Sequence, residues 1–172
     1  MRKILFVSTI TFLFIGLASM KAQFNAGVNL GMFHPLEEGA KTQLGFNVSG
    51  KYSFSEKMRL GANIGYYSKS QTEFGTKISS FSMPITALVE YKFTSGDLSP
   101  YIGADIGSYR LGAKSDNLTV SENYFGIAPV FGVDYSLSEK LLLNGNMKLH
   151  YILSEGESTS VFGLNVGVAY KF

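Results

Sequence analysis
The sequence predicts an all-β protein, an eight-stranded antiparallel up-and-down transmembrane β-barrel with both termini in the periplasm. Three observations predict it. Apolar and polar residues alternate with a two-residue period over stretches of roughly ten residues, the strand length that a tilted barrel needs to cross a bilayer. Eight such stretches follow one another, and an even count is what up-and-down closure requires. Charged residues make up only 16% of the 172, against roughly a quarter in soluble domains, so much of the surface does not face water.

The chain opens with an address. Arg2 and Lys3 are a basic start, residues 4–17 are an apolar core, and Ala18, Ser19 and Ala22 are small residues suited to cleavage. Residues 1–22 therefore read as a secretory signal peptide and 23–172 as the barrel; the core falls short of the about 20 apolar residues of a spanning helix. An uncleaved anchor is the competing reading.

The strands follow in order, each named by its apolar face. The first carries Phe24, Ala26, Val28, Leu30 and Met32. The second carries Leu44, Phe46, Val48, Tyr52 and Phe54, and the third Met58, Leu60, Ala62, Ile64 and Tyr66. In the fourth, Phe81, Met83, Ile85, Ala87, Val89, Tyr91 and Phe93 alternate without a break. The fifth is shorter, with Ile102, Ala104 and Ile106. The sixth has Phe125, Ile127, Phe131, Val133 and Tyr135, and the seventh Leu141, Leu143, Met147, Leu149 and Tyr151. The eighth runs to the carboxyl end through Phe162, Leu164, Val166, Val168, Tyr170 and Phe172. Connections at 55–57, 94–98 and 136–140 are tight and rich in turn formers. Those at 34–41, 68–77, 112–122 and 154–160 are longer and polar, as expected of outer loops.

Alternation alone does not say which face is outside, because a soluble barrel turns its apolar face inward. Three features decide it. The apolar face carries no charge, and a lipid-facing Lys or Arg at mid-depth would cost about 2–4 kcal/mol. Aromatics gather at both ends of that face: Phe24, Tyr52, Phe54, Tyr91, Phe93, Tyr135 and Phe172 at one, Tyr66, Phe81, Phe125, Tyr151 and Phe162 at the other. The opposite face is built from glycine, Asn and Ser, which suits a crowded lumen and sharply coiled strands. The polar face points in. Pro84 and Pro129 count against unbroken ladders, and each is expected at a bulge or a rim.

Asn165-x-Gly167-x-x-Tyr170-x-Phe172 resembles the C-terminal signal by which outer-membrane barrels are handed to their assembly machinery. Further, Met83-Pro-Ile-Thr-Ala-Leu-Val-Glu-Tyr-Lys-Phe93 followed by Pro100-Tyr-Ile-Gly-Ala-Asp-Ile-Gly107 resembles the small outer-membrane barrel family of Bacteroidota, porin-family or OmpA/OmpW-like. The resemblance covers essentially the whole mature chain and implies the bacterial outer membrane as location. It implies no shared catalytic residues and no cofactor. The implied partners are outer-membrane lipid and the barrel-assembly machinery.

Lys51, Arg59, Glu90, Lys92, Asp105, Asp134 and Lys148 fall on the lumen face. Charges there must be paired or hydrated. Because eight strands leave an interior just filled by side chains, a structural ion-pair plug is the first reading, with Arg59 and Glu90 paired across strands three and four. A narrow path for ions or small solutes is the alternative. A remote third reading is a lipid-modifying enzyme, using His34 with Ser115 and Asp116 at the rim, or His150 as a base, but no motif supports it. His34 and His150 lack metal-ligand spacing and cysteine is absent. The formal net charge of +2 is too small to argue for nucleic acid. What remains is a structural or binding protein of the outer membrane.

Overall fold
The computed structural model describes residues 23–73, 76–115, 118–154 and 158–172; the signal peptide expected over 1–22 lies outside them. Eight strands, β1(Gln23–Pro35), β2(Gln43–Ser53), β3(Met58–Glu73), β4(Thr76–Lys92), β5(Leu98–Ser115), β6(Leu118–Ser136), β7(Leu141–Leu153) and β8(Ser158–Lys171), follow in chain order. Each pairs antiparallel with the next, and β8 pairs with β1, so the barrel is closed. Closure leaves no free strand edge along the apolar belt, which a hydrocarbon solvent demands.

The facing is as the alternation predicts. Leu30, Leu44, Ile64, Ile85, Ile106, Ile127, Met147 and Val166, one from each strand, all lie exposed on the outer surface. A water-soluble protein does not carry an apolar belt of this extent. The aromatic rings bound it: Tyr66 stacks on Phe81 at 6.3 Å on one side, and Phe24 meets Phe172 at 5.7 Å on the other. Gln23, Phe172 and the three tight turns lie at one end, here the terminal end; the other is the loop end. Side chains tie the turns: Ser55 Oγ accepts from Met58 N at 2.9 Å, and Ser138 Oγ from Leu141 N at 3.1 Å. In the β1–β2 connection Gly39 sits at φ +78°, a conformation that other residues adopt only at a cost.

Two expectations are corrected. The stretches 68–77 and 112–122 are not loops, because strands run through nearly all of both. The β3–β4 ladder continues to Glu73↔Thr76 and the β5–β6 ladder to Ser115↔Leu118. By contrast β1, β2, β7 and β8 stop near Pro35, Gln43, Leu153 and Ser158. Four adjacent strands therefore project beyond the loop-end ring, by about 20 Å of strand at about 3.4 Å per residue. Polar residues occupy both faces there, so the apolar alternation that marks a lipid-bound strand disappears while the hydrogen bonding continues. Neither proline makes a bulge or sits at a rim. The β3–β4 register is the same before the gap (Ile64↔Ile85) and after it (Tyr67↔Ser82), and Pro84 still pairs with Tyr109 on its other side. Pro129 likewise interrupts only the β7 side, between Ile127↔Tyr151 and Val130↔Lys148. Each ring costs local hydrogen bonding and leaves the register untouched.

Candidate functional site
The lumen is filled in layers. Nearest the terminal end, Arg59 of β3 crosses the interior, its Nε donating to Glu90 on β4 and its Nη1 to Asp134 on β6. Glu90 takes Lys51 of β2 on its other oxygen at 3.0 Å. Tyr101, fully buried on β5, lies under the two cations: the guanidinium of Arg59 is 4.5 Å and Lys51 Nζ 5.2 Å from its ring centre. The Tyr101 hydroxyl accepts from Asn144 Nδ2 at 2.9 Å, and the same amide group donates to Asp134. Glycine makes room for that ring: a Cβ at Gly132, its partner across β5–β6, would overlap Tyr101 Cζ and Oη.

Above this lies an amide layer. Asn165 accepts from Tyr67 Oη at 2.7 Å and from Asn47 at 2.9 Å, and donates to Asn146 at 3.1 Å. Asn29 donates to Asn47 at 2.9 Å. On the facing wall Lys148 of β7 reaches Asp105 of β5 at 2.7 Å, and Thr86 of β4 donates to the same carboxylate at 3.2 Å. The third layer is apolar. Phe33, Tyr67, Tyr109, Ile152 and Val161 form a core cluster of which no member is more than 4% exposed, with Phe33 stacked on Tyr67 at 5.3 Å. Tyr109 Oη and His150 Nδ1 lie 2.9 Å apart and join the aromatic seal to the polar layer beneath.

Of the seven charged residues expected in the lumen, the structure joins six. Lys51, Arg59, Glu90 and Asp134 form one network; Asp105 and Lys148 form a separate pair. Lys92 faces inward but stands apart near the terminal mouth, without an ion pair among the described residues. The four residues whose spacing resembles a C-terminal assembly signal divide. Tyr170 and Phe172 point outward with ring centres 5.0 Å apart. Gly167 packs where a Cβ would strike the backbone of β1, and Asn165 is the hub of the amide layer. Asn165 is thus a lumen residue, joined to Tyr67, Asn47 and Asn146. Sequence reasoning passed over Phe33, Tyr67, Tyr101 and Tyr109, although their place on the glycine-rich face was a sufficient signal.

The rim arrangement of His34 with Ser115 is not formed. They stand on β1 and β5, opposite walls of the ring, and His34 Nδ1 lies 2.9 Å from Thr42 Oγ1. Asp116 lies outside the described residues. His150 is buried against Phe33 and Tyr109.

Residues 9–172 match the family model described as the outer membrane protein beta-barrel domain. An uncharacterized protein of Haemophilus influenzae is 23% identical over 140 residues, 73% of each chain. Among solved structures, Ail, the attachment invasion locus protein of Yersinia pestis, in complex with the heparin analogue sucrose octasulfate, aligns at TM-score 0.68 and 15% identity. That alignment covers 89% of this chain and all of Ail. Neisserial surface protein A aligns at TM-score 0.68 and 19% identity, over 88% of this chain and 97% of its own. At these identities the structures share the fold.

Proposed function
We propose that this chain, which belongs to the outer membrane protein beta-barrel domain family, is a non-conducting barrel of the bacterial outer membrane whose working part is its projecting β3–β6 sheet. The observation that carries the proposal is the sealed lumen. An ion entering from the terminal end meets a buried ion-pair network, then a closed amide layer, then an aromatic and aliphatic seal. The space among Asn25, Asn29, Ser49 and Asn144 amounts to about 10 Å³, scarcely the room of one water. Hydrogen bonds and ion pairs across the interior, β3 to β6 and β5 to β7, hold the walls together.

A sealed barrel acts through its ends. Short turns at the terminal side support a periplasmic location for that side and an external one for the sheet. On the β7 side, β6 has no strand partner from Leu118 to Tyr124 among the described residues. Natural edges are guarded by charged side chains, above all Lys, by Pro or by a bulge; Leu118-Thr-Val-Ser-Glu-Asn-Tyr124 has no Lys or Pro and a single charge, Glu122. The β3 edge is guarded by contrast, since Lys41 of the β1–β2 connection donates to Gln71. The open β6 edge suits an extended segment of another protein, which would add as a further strand. Planar-bilayer recording of the refolded protein tests the seal: the expected trace is the bare membrane's, and steady, ion-selective conductance would refute it.

A further inference from the structure
At the terminal end the lumen opens below the ion-pair network into a vestibule of about 290 Å³, near the lower size limit of small-molecule sites at about 300 Å³. Arg59 and Asp134 form its floor. The turn Ser95-Gly96-Asp97 forms one wall, held by Ser99 Oγ donating to Gly96 O and Ser136 N donating to Asp97 O, both at 2.8 Å. Lys92 enters from β4 and Lys171 from β8, strands on opposite sides of the ring.

The charges do not balance. In the floor Lys51 and Arg59 are matched by Glu90 and Asp134, and Asp134 is spent, with one oxygen on Arg59 and the other on Asn144. Neither Lys92 nor Lys171 has a carboxylate within ion-pair distance among the described residues, and Lys171 makes only a 3.4 Å bond to Ser136 Oγ. The lining thus carries three cations, Arg59, Lys92 and Lys171, against two carboxylates, Asp97 and the committed Asp134, an excess of one positive charge. Arg59, 2% exposed, also leaves Nη2 without a partner, although a buried guanidinium N–H ordinarily finds an acceptor.

We propose that the vestibule binds a small multivalent oxyanion, a phosphate or a dicarboxylate, clasped between Lys92 and Lys171 over the Arg59 floor. Low-dielectric walls focus the field of converging cations into the cup, and such an anion spans ammonium groups that reach in from opposite sides. Asp97 opposes it from the rim. The site does not depend on whether the lumen conducts. The test uses the full barrel, refolded in zwitterionic detergent and titrated by calorimetry with sodium phosphate and, separately, sodium succinate at fixed ionic strength. Saturable binding of one anion per barrel is expected. Lys92→Gln with Lys171→Gln should weaken it by about tenfold or more, while Asp97→Asn tightens it, with folded migration in unheated gels retained in both. Saturation by only one of the two anions assigns the site to that class; saturation by both assigns it to oxyanions in general. Binding of neither anion by the wild type, or binding indifferent to all three substitutions, overturns the proposal.

Discussion
Glu90→Ala is the perturbation that asks most of the lumen. Glu90 is 3% exposed and serves two cations, Lys51 at 3.0 Å on one oxygen and Arg59 on the other. Removing it leaves Lys51 without its carboxylate and Arg59 with Asp134 alone, both cations almost wholly buried. Breaking a buried pair in this way costs about 3–5 kcal/mol, most of it the uncompensated charge left behind. In urea unfolding from lipid vesicles, at a slope of about 2 kcal/mol per molar, the midpoint should fall by about 1.5–2.5 M. Glu90→Gln retains shape and an acceptor and should lose less. Glu139→Ala, in the exposed β6–β7 turn, should stay within about 0.5 kcal/mol of wild type. A Glu90→Ala loss below about 1 kcal/mol would refute the reasoning, because it would mean that water already solvates Arg59 and the plug is wet.

Deleting Phe172 removes a backbone bond to Phe24 O at 2.9 Å and the ring contact at the β8–β1 seam; less assembled barrel is expected in outer-membrane fractions, with export unchanged. Gly132→Ala forces Tyr101 off its place beneath Arg59, and overpacking of this kind should cost about 1–3 kcal/mol in the same urea assay. Since the chain has no cysteine, single-cysteine labelling reads orientation directly: Thr119→Cys should react with a membrane-impermeant maleimide on intact cells, and Ser138→Cys only after lysis.

The facing of every strand was legible because the bilayer imposes one rule on all of them. Each outer-surface position within the belt, such as Val28, Ile64, Ile127 and Val168, answers to the same solvent, so period two and the absence of charge suffice there. The Arg59–Glu90 pairing was legible for a related reason: neighbouring strands whose faces are known bring facing residues together, and these two are direct register partners. The contact to Asp134 was not, since β3 and β6 are three strands apart and only closure brings them across the lumen. Lys92 had the right face, but the alternation does not give height, and the structure sets it one level below the network. Asn165 shows another limit, because a residue matched to a terminal signal was not also considered as part of the interior.

The projecting sheet was missed for a physical reason that bears on function. Within the belt, hydrocarbon enforces both the apolar outer face and the pairing of every strand. Above it water relaxes the first demand, and Ser68, Ser70, Arg110, Lys114, Thr119 and Ser121 take over the outer face without disturbing the ladders. Polar contacts replace lipid contacts there: Ser70 Oγ to Ser79 Oγ at 2.8 Å, Arg110 Nη2 to Ser121 Oγ at 2.9 Å. Such a sheet is not required by the membrane, since β1, β2, β7 and β8 cross it without extending further. Among the described residues it also leaves one edge of β6 without a strand partner. Edges are kept paired wherever lipid would penalise a gap, and the proposed interaction edge lies where water relaxes that demand, which is why reading the chain for lipid-facing alternation passes over it.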